Sequence, residues 1–411
     1  MIRQLSANLR ILVAAIAALA VLSLAPPAPA FADAGFEKWK RQFSRSARRN
    51  GISRRTLDTA FKGIDSFDPD VIDKARYQPE FKQRTWEYFD SRVDEVSIAK
   101  GRELRKRYKG LLDRIEARYG VDRDILLAIW SMESRYGAIL DQPNVVRPIM
   151  RSLATLAAKD RKRARFARRQ MLAVLSMLQK RQITPDQMVG SWAGAMGHTQ
   201  FIPTSYRLYR QNFDGVGKAD IWTSVPDALA TAANLLRRNG WRKGQTWGYE
   251  VKPSARLYAQ RNKRRTLAQW ARLGVERVAG RKMPRTGTRA TLKFPAGRNG
   301  PAFLMLKNFF VIKRYNNSDK YALAVGHLAD QIAGGGDFVT PLPRPYPKLS
   351  REERSELQRR LWKLGLMEEG KFSGAVGPKT RKGVLAAQKR FGMKEDGHVS
   401  PGLLERLRRE T

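Results

Sequence analysis

Three features of the sequence predict a mainly α (α+β) protein: a helical domain with a small β-containing insertion, followed by a small three-helix C-terminal module. Apolar residues recur at helical spacing from about residue 36 to residue 239, interrupted by turn signals at Gly137, Gly190 and the Asp214-Gly215 pair. Between residues 280 and 315 the pattern changes: Thr291-Leu292-Lys293-Phe294 and Ala302-Phe303-Leu304-Met305-Leu306 lie between Gly and Pro punctuators and read as short strands. After a helix over about 320–332, the run Gly334-Gly335-Gly336 ends the helical pattern, and Pro341, Pro343, Pro345 and Pro347 favour an extended spacer.

The elements follow in order. Residues 36 to 120 are helical and rich in Lys and Arg, and the dense basic stretch from Lys100 to Lys109 reads as a solvated helix face. Asp122 to Gly137 forms the best-defined helix. The last sixty residues carry helical stretches over 350–364, 378–391 and 400–409 joined by Gly-containing turns, with Pro378 suited to a first helical turn. These divisions give a leader over 1–32, a main domain over 36–335, a Gly/Pro-rich linker over 336–349 and a terminal module over 350–411.

Composition narrows the function. The 411 residues carry 79 Lys and Arg against 38 Asp and Glu, a net charge of +41, with 42% hydrophobic residues and no cysteine. Wholesale disorder is excluded by the apolar content. Thiolate catalysis, disulfides, a cysteine-ligated metal and a lipid-anchored cysteine are excluded by the lack of thiols. His198, His327 and His398 lie far apart, so a His-rich metal centre is not expected. The charge excess calls for a polyanionic partner, whether nucleic acid, an anionic membrane surface or an acidic cell-envelope polymer.

Arg3 and Arg10 precede the uncharged run Ile11 to Ala25, and Ala30-Phe31-Ala32 has the small-x-small form of a cleavage site, which together read as a secretory signal peptide. The run is shorter than the about 20 apolar residues that span a bilayer. Export to the periplasm is therefore expected, with a mature chain beginning near Asp33, soluble, without a transmembrane segment and monomeric. Export sets aside a specific nucleic-acid role.

The richest chemistry lies at Glu133. Leu126, Ile129, Trp130 and Glu133 share one helical face, so the carboxyl continues an apolar stripe and also stands at the negative end of the helix dipole. Both effects raise the pKa of a carboxyl, as a general acid at neutral pH requires. A helix-end Glu that turns to solvent or pairs with Arg135 is the competing reading. Ser191-Trp192-Ala193-Gly194-Ala195-Met196-Gly197-His198-Thr199-Gln200 is rich in small residues, suited either to tight packing or to close approach of a sugar. Arg314-Tyr315-Asn316-Asn317-Ser318-Asp319-Lys320-Tyr321 offers two tyrosines and an amide at a helix start, which serve equally as turn and cap or as sugar contacts.

Four runs in order, Ala128-Ile129-Trp130-x-Met132-Glu133-Ser134-x-Tyr136-Gly137, Ala193-Gly194-Ala195-Met196-Gly197-x-x-Gln200-Phe201-x-Pro203-x-Ser205-Tyr206, Asp220-Ile221-Trp222-x-Ser224-Val225-Pro226-Asp227-Ala228 and Arg314-Tyr315-Asn316-x-Ser318-x-x-Tyr321-Ala322, resemble the membrane-bound lytic murein transglycosylase B family over about residues 36 to 335. The last sixty residues resemble a peptidoglycan-binding module through Leu357-Gln358-x-x-Leu361-x-x-Leu364-Gly365, Gly377-Pro378-x-Thr380 and Ala387-Gln388-x-x-Phe391-Gly392. The resemblance implies a lysozyme-like helical fold and cleavage of the β-1,4 bond between N-acetylmuramic acid and N-acetylglucosamine without water, leaving a 1,6-anhydromuramoyl end. It places the single acid/base at Glu133 and substrate contacts at Ser191, Gln200, Asn316 and Tyr321, with Tyr315 beside them. It implies peptidoglycan glycan strands as partner and no cofactor. Leu235 stands where relatives carry a cleft tyrosine. Some relatives carry a calcium loop, but Asn212 to Asp220 has Val216 and Lys218 where oxygen-bearing side chains are needed, and a metal-free turn is expected. A hydrolase of the same glycan and a noncatalytic wall-binding protein are the alternatives.

Overall fold

The computed structural model describes residues 33–411 apart from Tyr77, Arg285 and Lys371; the signal peptide expected over 1–32 lies outside the described residues. At its centre is the helix Arg123–Ser134. Asp122 caps it, its carboxylate accepting from the N–H groups of Asp124 (2.8 Å) and Ile125 (3.1 Å). Ile125 through Met132 are all buried, so this helix is enclosed on every side rather than amphipathic. Helices Glu95–Arg107, Lys109–Tyr119, Val225–Arg238 and Asp319–Ile332 pack around it.

A second helical pair, Ile149–Lys159 and Ala164–Gln179, extends this core, and the N-terminal helix Ala34–Arg49 joins it through a cluster of Phe36, Trp39, Phe43, Phe61 and Phe67. Full burial of side chains of this size stabilises by about 1.5–3 kcal/mol each. Leu235 belongs to the same core and is only 5% exposed.

The insertion is larger than its two most legible strands. Five antiparallel strands run in the order Arg264–Thr266, Arg289–Lys293, Ala302–Met305, Gly248–Lys252 and Glu276–Arg277. Side chains alternate across it. Phe303 and Met305 enter the main core, whereas Ala302 and Leu304 face a second core built with Leu257, Leu267 and Trp270. The sheet thus has an inner face against the helical body and an outer layer of its own.

The Gly/Pro-rich segment is extended, as its prolines dictate, but it is a strap packed on the main domain rather than a free spacer. Phe338 stacks on His327 at 3.8 Å between ring centroids. The Glu250 carboxylate accepts from the N–H groups of Val339 (2.9 Å) and Thr340 (2.7 Å). Leu342 is buried in the main core, and the Arg344 guanidinium grips Asp90 through both terminal nitrogens. Segments that cannot join a helix or sheet still bury their apolar side chains where a surface is offered.

The terminal module has its own core, with Leu357, Leu361, Val384, Ala387, Leu403, Leu404 and Leu407 drawn from helices Arg351–Lys363, Pro378–Arg390 and Pro401–Glu410. Ser350 and Glu353 form a capping box at its first helix. The buried Gln358 ties down the loop between the first two helices, donating to the Ala375 carbonyl (2.8 Å) and Thr380 Oγ1 (2.9 Å) and accepting from Gly374 N (2.9 Å).

Candidate active site

The central helix ends at Ser134, one residue beyond Glu133. Arg135 and Tyr136 both adopt left-handed backbone, at φ 49° and 59°, and Gly137 follows at 91°. Two successive non-glycine residues in that region are strained, and such strain is tolerated only where surrounding contacts hold it. Tyr136 supplies one, its hydroxyl donating to the Ser97 carbonyl at 2.8 Å. Burial pushes this phenol well above its usual range. Glu133 is half-buried, one turn beyond the buried Ile129 and Trp130 of the same helical face.

A set of fastenings not evident from the sequence joins this helix end to the small-residue loop. Ser134 Oγ donates to the His198 carbonyl at 2.6 Å and accepts from Gly137 N at 2.9 Å. Trp130 Nε1 donates to His198 Nδ1 at 3.1 Å, so this imidazole is neutral with its proton on Nε2, consistent with a pKa lowered by burial. A Cβ on Gly137 would lie 2.6 Å from the His198 ring, which explains the glycine there. Trp130 and Ser134 are one helical turn apart, and that spacing is the only sequence signal for the pair.

Tyr321 meets the acid directly. Its hydroxyl donates to Glu133 Oε1 at 2.5 Å across 188 residues of chain, and the ring is 3% exposed. Burial, reinforced by the Glu133 charge, raises this phenol well above its usual range, so it remains a donor at neutral pH. Ser318 caps the helix that carries it, and Asp319 is pinned by Lys293 (2.9 Å) and Lys313 (2.6 Å).

Tyr315 has a different position from Tyr321. Its hydroxyl donates to the Thr199 carbonyl at 2.7 Å, and its ring meets Phe201 edge-on at 5.4 Å. It therefore links the 191–201 loop to the 315–321 turn. Burial raises its pKa too, with the Glu133 charge adding to the effect. Asn316 is half-buried in that turn, its carbonyl accepting from Ser318 N at 2.8 Å.

Ser191 Oγ accepts from the N–H groups of Ala193 (3.3 Å) and Ala195 (3.1 Å), which shapes the small-residue turn. Gln200 has left-handed backbone at φ 48° and donates its amide nitrogen to the Gly197 carbonyl at 2.9 Å. Both are half-buried on the loop fastened to the acid helix. The structure thus joins Glu133 to Tyr321 by a direct hydrogen bond, and ties the Ser191–Gln200 loop to the acid helix through Ser134 and to the Asn316 turn through Tyr315.

In the 212–220 loop the acidic oxygens serve the backbone. Asp214 accepts from Val216 N (2.9 Å) and from the Ser224 hydroxyl (2.5 Å), which hold its carboxyl below the usual range. Asp220 accepts from Trp222 N (2.7 Å) and Thr223 N (3.0 Å), and the Lys218 ammonium bonds the Arg181 carbonyl. Val216 is 74% exposed and has no oxygen to offer. Among the described residues no group of three or more His, Cys, Asp or Glu is placed to hold a metal ion.

The chain is similar to known proteins over most of its length. The Transglycosylase SLT domain model matches residues 35–330, and a peptidoglycan binding domain model matches residues 350–407. Membrane-bound lytic murein transglycosylase B of Escherichia coli is 28% identical over 297 residues, covering 72% of this chain and 80% of its own. SltB3 of Pseudomonas aeruginosa, solved in complex with NAG-anhNAM-pentapeptide, is 44% identical with a TM-score of 0.70, covering 91% of this chain and 99% of its own. Escherichia coli Slt35, solved in complex with calcium, is 26% identical with a TM-score of 0.61 over 74% of this chain and 94% of its own. With a lysozyme-like helical body, a small sheet and the acid at a helix end, the chain belongs to the SLT-domain family of peptidoglycan lytic transglycosylases.

Proposed function

We propose that the enzyme is exported to the periplasm and cleaves the N-acetylmuramic acid to N-acetylglucosamine bond without water during wall remodelling. The observation that carries this reading is the Glu133 carboxyl, held on one oxygen by the buried Tyr321 phenol at 2.5 Å. With Tyr321 on Oε1, the other oxygen is the one that carries the transferable proton. Glu133 gives that proton to the glycosidic oxygen as the bond to the muramoyl anomeric carbon breaks. The resulting carboxylate takes the proton of the muramoyl 6-hydroxyl as that oxygen bonds the same carbon, which restores the acid. One carboxyl serves both steps because the substrate supplies the nucleophile. The SltB3 complex with an anhydro-muramoyl ligand supports the product assignment.

Ser191, Gln200 and Asn316 are assigned to the sugar, with Asn316 beside the 2-acetamido group, and Tyr321 to charge developing at the reaction centre. Tyr315 is assigned beside them, and its hydroxyl, donating to the Thr199 carbonyl, also links loop and turn. The catalytic unit is taken as 36–335, the strap as 336–349 and a wall-binding unit as 350–411. The residues of the 212–220 loop do not fit calcium, and no step involves a metal. Mass spectrometry of muropeptides released from purified sacculi tests the reaction: anhydro ends, lighter by one water than hydrolytic ends, are expected, and reducing muramic acid would make the enzyme a hydrolase.

A further inference from the structure

Catalysis leaves unexplained a strongly unbalanced stretch of charge. Residues 253–289 carry eleven Lys and Arg against a single carboxylate, Glu276. Part of this stretch builds the outer layer of the five-stranded sheet, the side whose core contains Leu257, Leu267 and Trp270, while the opposite face of the sheet packs on the helical body. Arg256, Arg261, Lys263 and Arg272 lie on that side and are all exposed. Among the described residues of this layer none is paired with a carboxylate. The sheet's ion-paired cation, Lys293, bonds Asp319 toward the helical body.

We propose that this outer layer is a docking surface for an anionic phospholipid bilayer. The cations are spread over a short 3-10 helix, Ala255–Gln260, the turn that follows it through Arg261 and Lys263, and the helix Leu267–Arg272, so they do not converge on one small ligand. Guanidinium groups predominate, and their fork matches phosphodiester oxygens. The sheet separates the layer from the catalytic core, so a glycan strand bound at Glu133 does not neutralise it. Leu273 stands exposed beside Arg272 at the turn made by Gly274, an apolar side chain at the depth of lipid headgroups among charges that stay in water. Each basic residue close to an anionic surface contributes about 1 kcal/mol, or roughly fivefold in affinity, before screening by salt.

The test compares two variants of the mature chain beginning at Asp33 in sedimentation with vesicles of phosphatidylcholine alone or mixed with phosphatidylglycerol. One variant replaces Arg256, Arg261, Lys263 and Arg272 with Gln. The control replaces Arg161, Lys162, Arg165 and Arg168, four exposed cations on another part of the body, with Gln. Wild type is expected to bind only the anionic vesicles, the first variant at least about tenfold more weakly, and the control within about threefold of wild type. Both should digest sacculi at the wild-type rate. Equal losses in the two variants would reduce the effect to net charge. Binding to neutral vesicles, or a loss seen on purified sacculi but not on vesicles, would overturn the assignment in favour of apolar insertion or of the wall polymer.

Discussion

His398 Nε2 lies 2.5 Å from Glu87 Oε1, joining the terminal module to the catalytic body through two side chains that are each 9% exposed. Trp86 lies against the same imidazole at 4.9 Å between ring centroids. Removing one partner of such a buried pair strands the other, at a cost of about 3–5 kcal/mol. His398→Ala should therefore release the module while both cores stay folded. Small-angle scattering should show a larger radius of gyration for the variant, and an unchanged radius would mean that the strap alone holds the module in place.

Glu133→Gln keeps volume and loses the proton. Turnover of sacculi should fall by about a thousandfold or more, with thermal stability retained. Activity close to wild type would remove Glu133 from the mechanism.

Tyr321→Phe deletes one hydroxyl. A hydrogen bond to a charged partner is worth about 1.5–3 kcal/mol, so kcat should fall by about 10- to 100-fold. Because the ring stays, KM should hardly change. A rise in KM with kcat preserved would place Tyr321 on the substrate alone.

Burial lowers His327 to a pKa of about 4, whereas an unfolded histidine titrates near 6.5. The folded state binds fewer protons between those values, so the contribution of neutral His327 is complete above about pH 6.5 and is lost as pH falls toward 4. Its upper limit is about 3 kcal/mol. Since Phe338 stacks on this ring, acid should loosen the strap first. Unfolding followed by denaturant from pH 7 to 4 should show the slope, and His327→Gln should flatten it.

A chain ending at Lys348 should keep the stability of the catalytic body. One ending at Pro341 loses Leu342 from the core and Arg344 from Asp90, and should be less stable by about 2 kcal/mol or more. Calorimetry of the two lengths distinguishes a strap from a spacer, and equal melting temperatures would restore the spacer reading.

Periodicity is enough for the three terminal helices, because each buries a face through neighbours that recur every few residues, and Arg123–Ser134 and Asp319–Ile332 are legible from apolar runs of helical length between capping residues. The sheet was only half legible. Arg264–Thr266 and Glu276–Arg277 are short and mostly charged, and what makes them strands is pairing with distant partners such as Arg289 and Val251. The strap failed for a related reason: its prolines announce an extended backbone but say nothing of where Phe338 and Leu342 are buried. At the site, Glu133 and Tyr321 stood in recognisable motifs. The Tyr315 bond to Thr199 depends on two loops 116 residues apart and has no local signature.

The 188-residue separation between Glu133 and the phenol that steadies it carries a biological corollary. Neither half of the chain alone brings acid, loop and turn together. An enzyme that cuts peptidoglycan is thereby latent until the body that joins residues 133 and 321 has folded, and proteolytic clipping between the two residues that lets the halves part silences it again.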